Sequence, residues 1–284
     1  MKPSSRMTRV VKRLIYRAIH ASRPVHPVTA YCCGLRFEIA SNCRIGEALY
    51  ANGFERYQRG ILDQVVTSGS TVLDIGANLG FYTCLFARKV GQAGQVIAVE
   101  PTPKVFQALR HNISINRLGD RVTTLRVALS NQEGSAKMHL YSEGNEVYNS
   151  LGVTKSWLPE PPESSIDVDT MTMDYLLHKI PDSTQCFVKI DVEGFQHQVL
   201  QGGFNRLRDM PNVAMMVEMN DLASQQCGTS SKDSFELLSE CGFLPYRTTD
   251  GKSLSPLADN LRMSEALNDD IFFFKRPPQF ARSA

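Results

Sequence analysis

The stretch Ser70-Thr71-Val72-Leu73-Asp74-Ile75-Gly76-Ala77-Asn78-Leu79-Gly80 decides the fold. Its first half is an apolar, β-branched run of strand length, and its second half is a tight Gly-rich turn. Helical spacing follows, with Phe81, Leu85, Phe86 and Val90 on one face and a stop at Gly91. A second strand reads from Gln95 to Val99, a second helix from Pro103 to Ile115 and a third strand from Val122 to Leu129. Strand, helix, strand, helix, strand with short turns implies a parallel sheet with right-handed crossovers.

The pattern extends in both directions. Beyond Ser130 the alternation breaks: 135–141 reads as an added strand, 145–162 as loop, 166–171 as a short strand and 173–179 as a short helix. It returns with a buried strand from Cys186 to Ile190, the turn Asp191-Val192-Glu193-Gly194 and a helix over 195–201. A fifth strand from Asn212 to Met219 and a helix from Ser234 to Glu240 follow, and Phe243–Arg247 with Asp270–Lys275 read as a closing antiparallel pair. Upstream, Ala30 to Ile39 has hairpin character, and Ile45 to Val66 reads as helix interrupted by glycines. There is no internal repeat. The expectation is one α/β domain over 31–280, preceded by an extension over 1–30.

Composition bounds the function. Lys and Arg total 31 and Asp and Glu 29 in 284 residues, so the net charge of +2 does not point to a nucleic-acid binder. The total hides an asymmetry: residues 1–37 carry eight basic residues and no acid, which leaves −6 for the rest. Met7, Val10, Val11, Leu14 and Ala18 recur there at helical spacing, ended by Arg23-Pro24 and Pro27. This basic amphipathic helix reads as a peripheral anchor on anionic lipid, as a docking helix for a partner, or as a helix packed on its own domain. Seven scattered cysteines form no disulfide framework or zinc spacing, and read as reduced thiols in the cytoplasm.

Ligands of open α/β sheets bind beyond the carboxyl ends of the strands. The turn after Asp74 lacks the G-x-G-x-x-G spacing of a pyrophosphate site, and a carboxylate before its first glycine would repel a diphosphate. It suits a cationic ligand. Glu100 ends the next strand, where a carboxylate can accept both hydroxyls of a ribose. A nucleoside bearing a positive charge points to S-adenosylmethionine. A tight structural turn with Glu100 as a solvated strand end is the plainer alternative.

The chain resembles the FkbM family of S-adenosylmethionine-dependent methyltransferases. The resemblance rests on Tyr50 with Gly53-Phe54-Glu55, on Val72 to Gly80, on Val99-Glu100-Pro101-Thr102-Pro103 and on Asn112 and Asn116. It continues through Lys189-Ile190-Asp191-Val192-Glu193-Gly194, Val199-Leu200, Gly202 and Glu218, and covers roughly 48–220. Phe195-Gln196 departs from the acidic residue expected after Glu193-Gly194. The resemblance implies a class I, Rossmann-like methyltransferase fold with a mostly parallel seven-stranded sheet and helices on both faces. It implies that Asp74, Gly76, Asn78 and Gly80 line the methionine portion of the cofactor, that Glu100 holds the ribose, and that Val127, Ala128 and Leu129 flank the adenine.

Methyl transfer to a hydroxyl needs alignment and a proton acceptor. Asp191 and Glu193 follow the fourth strand, and Glu218 with Asn220 ends the fifth. Either Asp191 or Glu193 serves as base, or Asp191, Glu218 and Asn220 hold Mg²⁺, or Asp191 and Glu193 simply cap the helix that follows. His197 lies one turn into that helix, where it assists a proton or sits at the surface. Tyr148, Asn149 and Trp157, in the irregular insert, are expected to contact a small-molecule or glycan acceptor. The function expected is O-methylation of a sugar or natural product. Rivals are a catalytically inactive S-adenosylmethionine-binding regulator, a nucleic-acid methyltransferase and a dehydrogenase.

Overall fold

The computed structural model describes Leu14 and residues 27–40, 42–43, 45–142, 145–151, 160–259 and 267–279. The expected amphipathic helix lies outside the described residues except for Leu14, which is helical and exposed. Trp157 lies outside them too.

The described chain opens with a hairpin, β1 (Pro27–Cys32) and β2 (Leu35–Ala40). Two helices follow, α1 (Gly46–Tyr50) and α2 (Arg56–Val65). The decisive stretch forms β3 (Thr71–Ile75), its Gly-rich turn and α3 (Phe81–Val90). Next come β4 (Gln95–Val99), α4 (Pro103–Ile115) and β5 (Val122–Leu125). The expected third strand is thus cut: Arg126 and Val127 break it, and β6 (Ala128–Ser130) joins another sheet. That sheet adds β7 (Gly134–Leu140), β8 (Ser150–Leu151) and β9 (Ser164–Thr172), in the order β6-β9-β7-β8. It has a small apolar cluster of its own, Ala128, Met138, Leu151 and Val168.

The main sheet resumes after α5 (Met173–Leu177) with β10 (Cys186–Ile190), α6 (Gln196–Gln201), α7 (Phe204–Asp209) and β11 (Val213–Asn220). It ends through α8 (Asp221–Gln226), α9 (Ser231–Glu240), β12 (Leu244–Arg247), β13 (Ser255–Pro256) and β14 (Asn268–Phe274). The order is β13-β12-β14-β11-β10-β3-β4-β5. The sheet therefore has eight strands where seven were expected, the extra one being the two-residue β13 at the edge. Strands β11, β10, β3, β4 and β5 are parallel, and β14 and β12 close the sheet antiparallel as expected.

Every side chain of β3 and β10 is buried. Alternation along these strands divides the core into two faces. Val72, Phe187, Met216 and Phe272 pack beneath α2, α3 and α4, while Leu73, Val188, Met215 and Phe273 pack beneath α5, α6 and α9. Each such side chain contributes roughly 1.5–3 kcal/mol by burial. The chain adds strands to one side of β3, then returns to the other side with β10. The switch point lies between them, the place where this architecture binds ligands. Among the described residues no helix is long and apolar enough to cross a membrane.

The second sheet is docked on the first through Gly202, where α6 ends: a Cβ there would lie 2.0 Å from the Ser130 carbonyl oxygen in β6. Gly202→Ala must push these backbones apart, so we expect a loss of at least about 1–3 kcal/mol in urea denaturation. An unchanged midpoint would contradict this close docking.

Candidate active site

A cavity of about 310 Å³ opens beyond the carboxyl ends of β3, β4, β10 and β11. Two turns meet there. The backbone N–H groups of Gly76 and Ala77 both donate to the Val99 carbonyl, each at 3.0 Å. A Cβ on Gly76, whose φ is +77°, would lie 1.8 Å from the Asp191 carbonyl oxygen. Glycine is therefore required at this position for the first turn to lie against the second. Asn78, Glu55 and Glu193 also line the cavity and are non-glycine residues at positive φ, a strain that clusters at functional sites.

Glu100 forms one wall. It is only 6% exposed, and its two carboxylate oxygens accept from the backbone N–H groups of Asn78 at 3.1 Å and Thr102 at 3.0 Å. Burial raises its pKa against these hydrogen bonds. Gly76, Asn78, Glu100, Ala128, Leu129, Asp191 and Glu193 share this one cavity. The buried hydroxyls of Tyr82 and Ser150 also line it and find no hydrogen-bond partner. Orphaned hydroxyls in a cavity wall fit a polar organic ligand.

Three expected site residues are placed elsewhere. Asp74 is fully buried and does not line the cavity, because its side chain points along the face packed under α3. There one oxygen accepts from the Thr83 hydroxyl at 2.5 Å and the other lies 3.8 Å from Lys189 Nζ. Gly80 caps α3 at φ +92° and does not line the cavity, and a Cβ there would meet Leu109 at 2.8 Å, so helix packing accounts for the glycine. His197 does not line the cavity: α6 buries Gln196, Val199 and Leu200, which turns position 197 toward Asp233 of α9. Burial lowers its pKa.

Lys189, 2% exposed, is the centre of the polar network. It is paired in register with Asp74 across the sheet, and two residues further along its own strand direction Asp191 lies 3.0 Å away. Its ammonium also sits 4.8 Å above the Tyr82 ring. Burial opposes its charge, but Asp191 and Asp74 together outweigh burial and hold its pKa above the ordinary lysine value. Burial likewise pushes Asp74 up, against Lys189 and Thr83.

At the mouth, Asp191, Glu193 and Glu218 bring carboxylate oxygens within 4.8 Å of one another, a donor set that fits a divalent cation such as Mg²⁺. Asn220 does not join them. Its side chain instead caps α8 by accepting from Ala223 N at 3.1 Å. Burial, then Asp191 and Glu193, raise Glu218 well above an ordinary carboxylate. Two further acids belong to this field. Burial, Asp270 and Asp191 push Glu55 up to about 8, and burial with Asp191 pushes Asp270 up to about 6. Gln58 Nε2 donates to Asp270 at 2.8 Å. Asp270 lies opposite Glu218 in the β11–β14 register, a pairing that no local pattern in the sequence announces. Glu55 has a local signal, an acid directly before a helix, but nothing local brings it across to the sheet.

Two consequences are measurable. Lys189→Met leaves Asp74 uncompensated, and we expect a loss of roughly 3–5 kcal/mol at neutral pH. The loss should shrink at low pH, where Asp74 can take a proton, and Lys189→Met with Asp74→Asn should recover most of it. A single-variant cost below about 1 kcal/mol in urea denaturation would show that the lysine does not hold Asp74. Glu55 gives the second. The unfolded carboxyl loses its proton near 4.5 and the folded one near 8, so stability falls as pH rises through that window. Glu55→Gln should therefore gain stability over the wild type from pH 5 to pH 8 in paired urea titrations; a constant difference would contradict the assignment.

Residues 74–245 match the family described as Methyltransferase FkbM domain. The hexuronic acid methyltransferase AglP of Haloferax volcanii is 28% identical over 170 residues, covering 59% of this chain and 60% of that protein. The 31-O-demethyl-FK506 methyltransferase FkbM of Streptomyces tacrolimicus is 26% identical over 178 residues, covering 54% of this chain and 66% of that protein. The matches thus span less than two thirds of these relatives' own lengths. An O-methyltransferase structure from Bacillus cereus in complex with SAH is 14% identical, with a TM-score of 0.44, covering 94% of this chain and 89% of that one. The family match takes in more than half of the 284 residues, and the chain belongs to the FkbM methyltransferase family.

Proposed function

We propose that this protein is an S-adenosylmethionine-dependent methyltransferase that methylates a hydroxyl of an uncharged sugar or natural product. The observation that carries the reading is one cavity at the switch point with two chemically distinct sides. The first side has Gly76, Asn78 and buried Glu100, and the second has Asp191, Glu193, Glu218 and Glu55. A relative named for a 31-O-demethylated natural product supports an oxygen acceptor, and one named for a hexuronic acid supports a sugar.

Glu100 would accept the ribose hydroxyls, Ala128 and Leu129 would flank the adenine, and Gly76 and Asn78 would border the methionine portion. When bound, the cofactor supplies a methyl group on a cationic sulfur. The chain's own residues then act on the acceptor. Lys189 holds Asp191 at 3.0 Å as an ion pair, which suits Asp191 to orient a hydroxyl. Glu218, raised by burial and by its acidic neighbours, is better matched to take the hydroxyl proton. Glu193, at positive φ beside it, is placed to share that role. Asp191, Glu193 and Glu218 would be the residues to hold Mg²⁺, where it would acidify the acceptor. Lys189 already supplies at Asp191 the positive charge that a metal would bring, so the reaction proposed runs without one. Beyond burial, the acidic side chains on this side raise one another's proton affinity, so a further negative charge is disfavoured there and the acceptor proposed here is neutral. Tyr148 and Asn149 line the same cavity and offer an aromatic face and an amide to a sugar.

Calorimetric titration with S-adenosylmethionine and S-adenosylhomocysteine tests the reading, followed by methyl-transfer assays on neutral glycosides and polyols. We expect Glu100→Ala to weaken cofactor binding roughly 10- to 100-fold, the value of hydrogen bonds to a charged group. Turnover should survive EDTA. Absence of binding to either nucleoside would overturn the assignment, and turnover abolished by EDTA and restored by Mg²⁺ would move the chemistry to the three-carboxylate site.

A further inference from the structure

The hairpin packed against α1, α3 and α4 carries a second reactive cluster, distinct from the acids of the cavity. Cys32 ends β1 and Cys33 occupies the turn at φ +56°. Their sulfurs lie 3.8 Å apart. Cys32 is fully buried, whereas Cys33 is half-buried and reaches solvent. Two guanidinium groups converge on the pair. Arg59 of α2 contacts Cys33 Sγ directly and has its Nη1 3.4 Å from Cys32 Sγ, while its Nε is buried without a partner. Arg88 of α3 donates to the Cys33 carbonyl oxygen. Asn52 Oδ1 accepts from the Cys33 backbone N–H at 3.0 Å and from the Cys32 thiol at 3.1 Å. A guanidinium placed against a sulfur stabilises the thiolate over the thiol.

We propose that Cys33 and Cys32 form a peroxide-reactive dithiol, with Cys33 as the attacking thiolate and Cys32 as the thiol that closes a disulfide. The Cys33 thiolate attacks one peroxide oxygen; the O–O bond breaks, hydroxide leaves, and sulfur is oxidised to the sulfenic acid as the peroxide is reduced. Cys32 sulfur then attacks the Cys33 sulfur; the S–O bond breaks, and the Cys32 proton leaves with the hydroxyl as water.

The electrostatics agree with this division of labour. The Cys32 hydrogen bond, then the positive charge of Arg59, bring Cys33 down to about 6 against the effect of burial. The hydrogen bond to Cys33, burial and the Cys33 charge raise Cys32 far above its ordinary value, so it stays protonated until Cys33 is oxidised and that charge is gone. The charged groups facing the pair are Arg59 and Arg88, both cations. Among the other cysteines, the half-exposed Cys227 directs its thiol to the Leu151 carbonyl oxygen at 3.7 Å. Cys84, Cys186 and Cys241 are buried, and burial raises Cys43 to about 11. A disulfide between adjacent residues is strained, since their Cα atoms sit about 3.8 Å apart, below the usual span, so a thiol reductant should reopen it readily.

The test treats the native full chain with one equivalent of hydrogen peroxide, quenches, unfolds and alkylates it, and quantifies each cysteine by peptide mass spectrometry. Cys32 and Cys33 should escape alkylation together, as one peptide lighter by two hydrogens, and dithiothreitol should restore both. In Cys32→Ser the reaction should stop at a sulfenate on Cys33 that dimedone traps. Arg59→Gln should slow oxidation of Cys33 roughly tenfold or more through the lost thiolate. Oxidation of Cys43 or Cys227 at an equal or greater rate in the wild type would overturn the proposal without any variant. So would a wild-type protein that stops at the sulfenate.

Discussion

A lysine ammonium with almost no access to water stands between two carboxylates, and much of the site depends on it. Lys189 is paired in register with Asp74 and bonded to Asp191 two residues on, so one cation joins β3, β10 and the turn beyond β10. Desolvating such a set is expensive, and only complete pairing makes it tolerable. The pairing has a geometric result. Asp74 is held under α3 by Thr83, Asp191 is held over the cavity, and the Gly76 turn has to lie flat against Asp191. The two turns that form the floor of the cavity are thereby set relative to each other by charge as well as by the sheet.

Above that floor the two sides of the cavity have opposite electrostatic tasks. Glu100 is satisfied by two backbone N–H groups, which keeps a buried carboxylate fixed in the cavity wall where we propose the ribose binds. The acids on the far side are crowded. Burial and then their mutual repulsion raise the proton affinity of Glu218, Glu55 and Asp270, while Asp191 is held in an ion pair with Lys189. Neighbouring carboxylates with separated affinities can divide orientation and proton acceptance between them. The second sheet completes the enclosure, bringing Ala128, Leu129 and the Tyr148–Leu151 segment to the cavity wall.

The parallel core was legible because its strands and helices follow local rules. The apolar run of β3, the Gly-rich turn and the apolar spacing of α3 place the first crossover, and the bounds of β4 and α4 agree residue for residue with the pattern read. The second sheet was legible only in part: β7 and β9 fall where 135–141 and 166–171 read as strands, but β6 and β8 are only three and two residues long, and neither periodicity nor turn chemistry marks β6 off from β5. Of the residues singled out in the sequence, those on the turns after strands line the one cavity, among them Gly76, Asn78, Glu100, Asp191 and Glu193. Asp74, Gly80 and His197 were not, because which way a residue faces in a doubly covered strand or a short helix is settled by its neighbours in space. Asp74 turns toward Lys189, Gly80 toward Leu109 and His197 toward Asp233.

The most direct test is a crystal structure of the protein with S-adenosylhomocysteine. The account predicts ribose hydroxyls on Glu100, adenine beside Ala128 and Leu129, and the sulfur facing the Asp191–Glu218 side of the cavity, with Asp74 still buried against Lys189. A nucleoside bound away from Glu100, or a cavity closed in the complex, would contradict it.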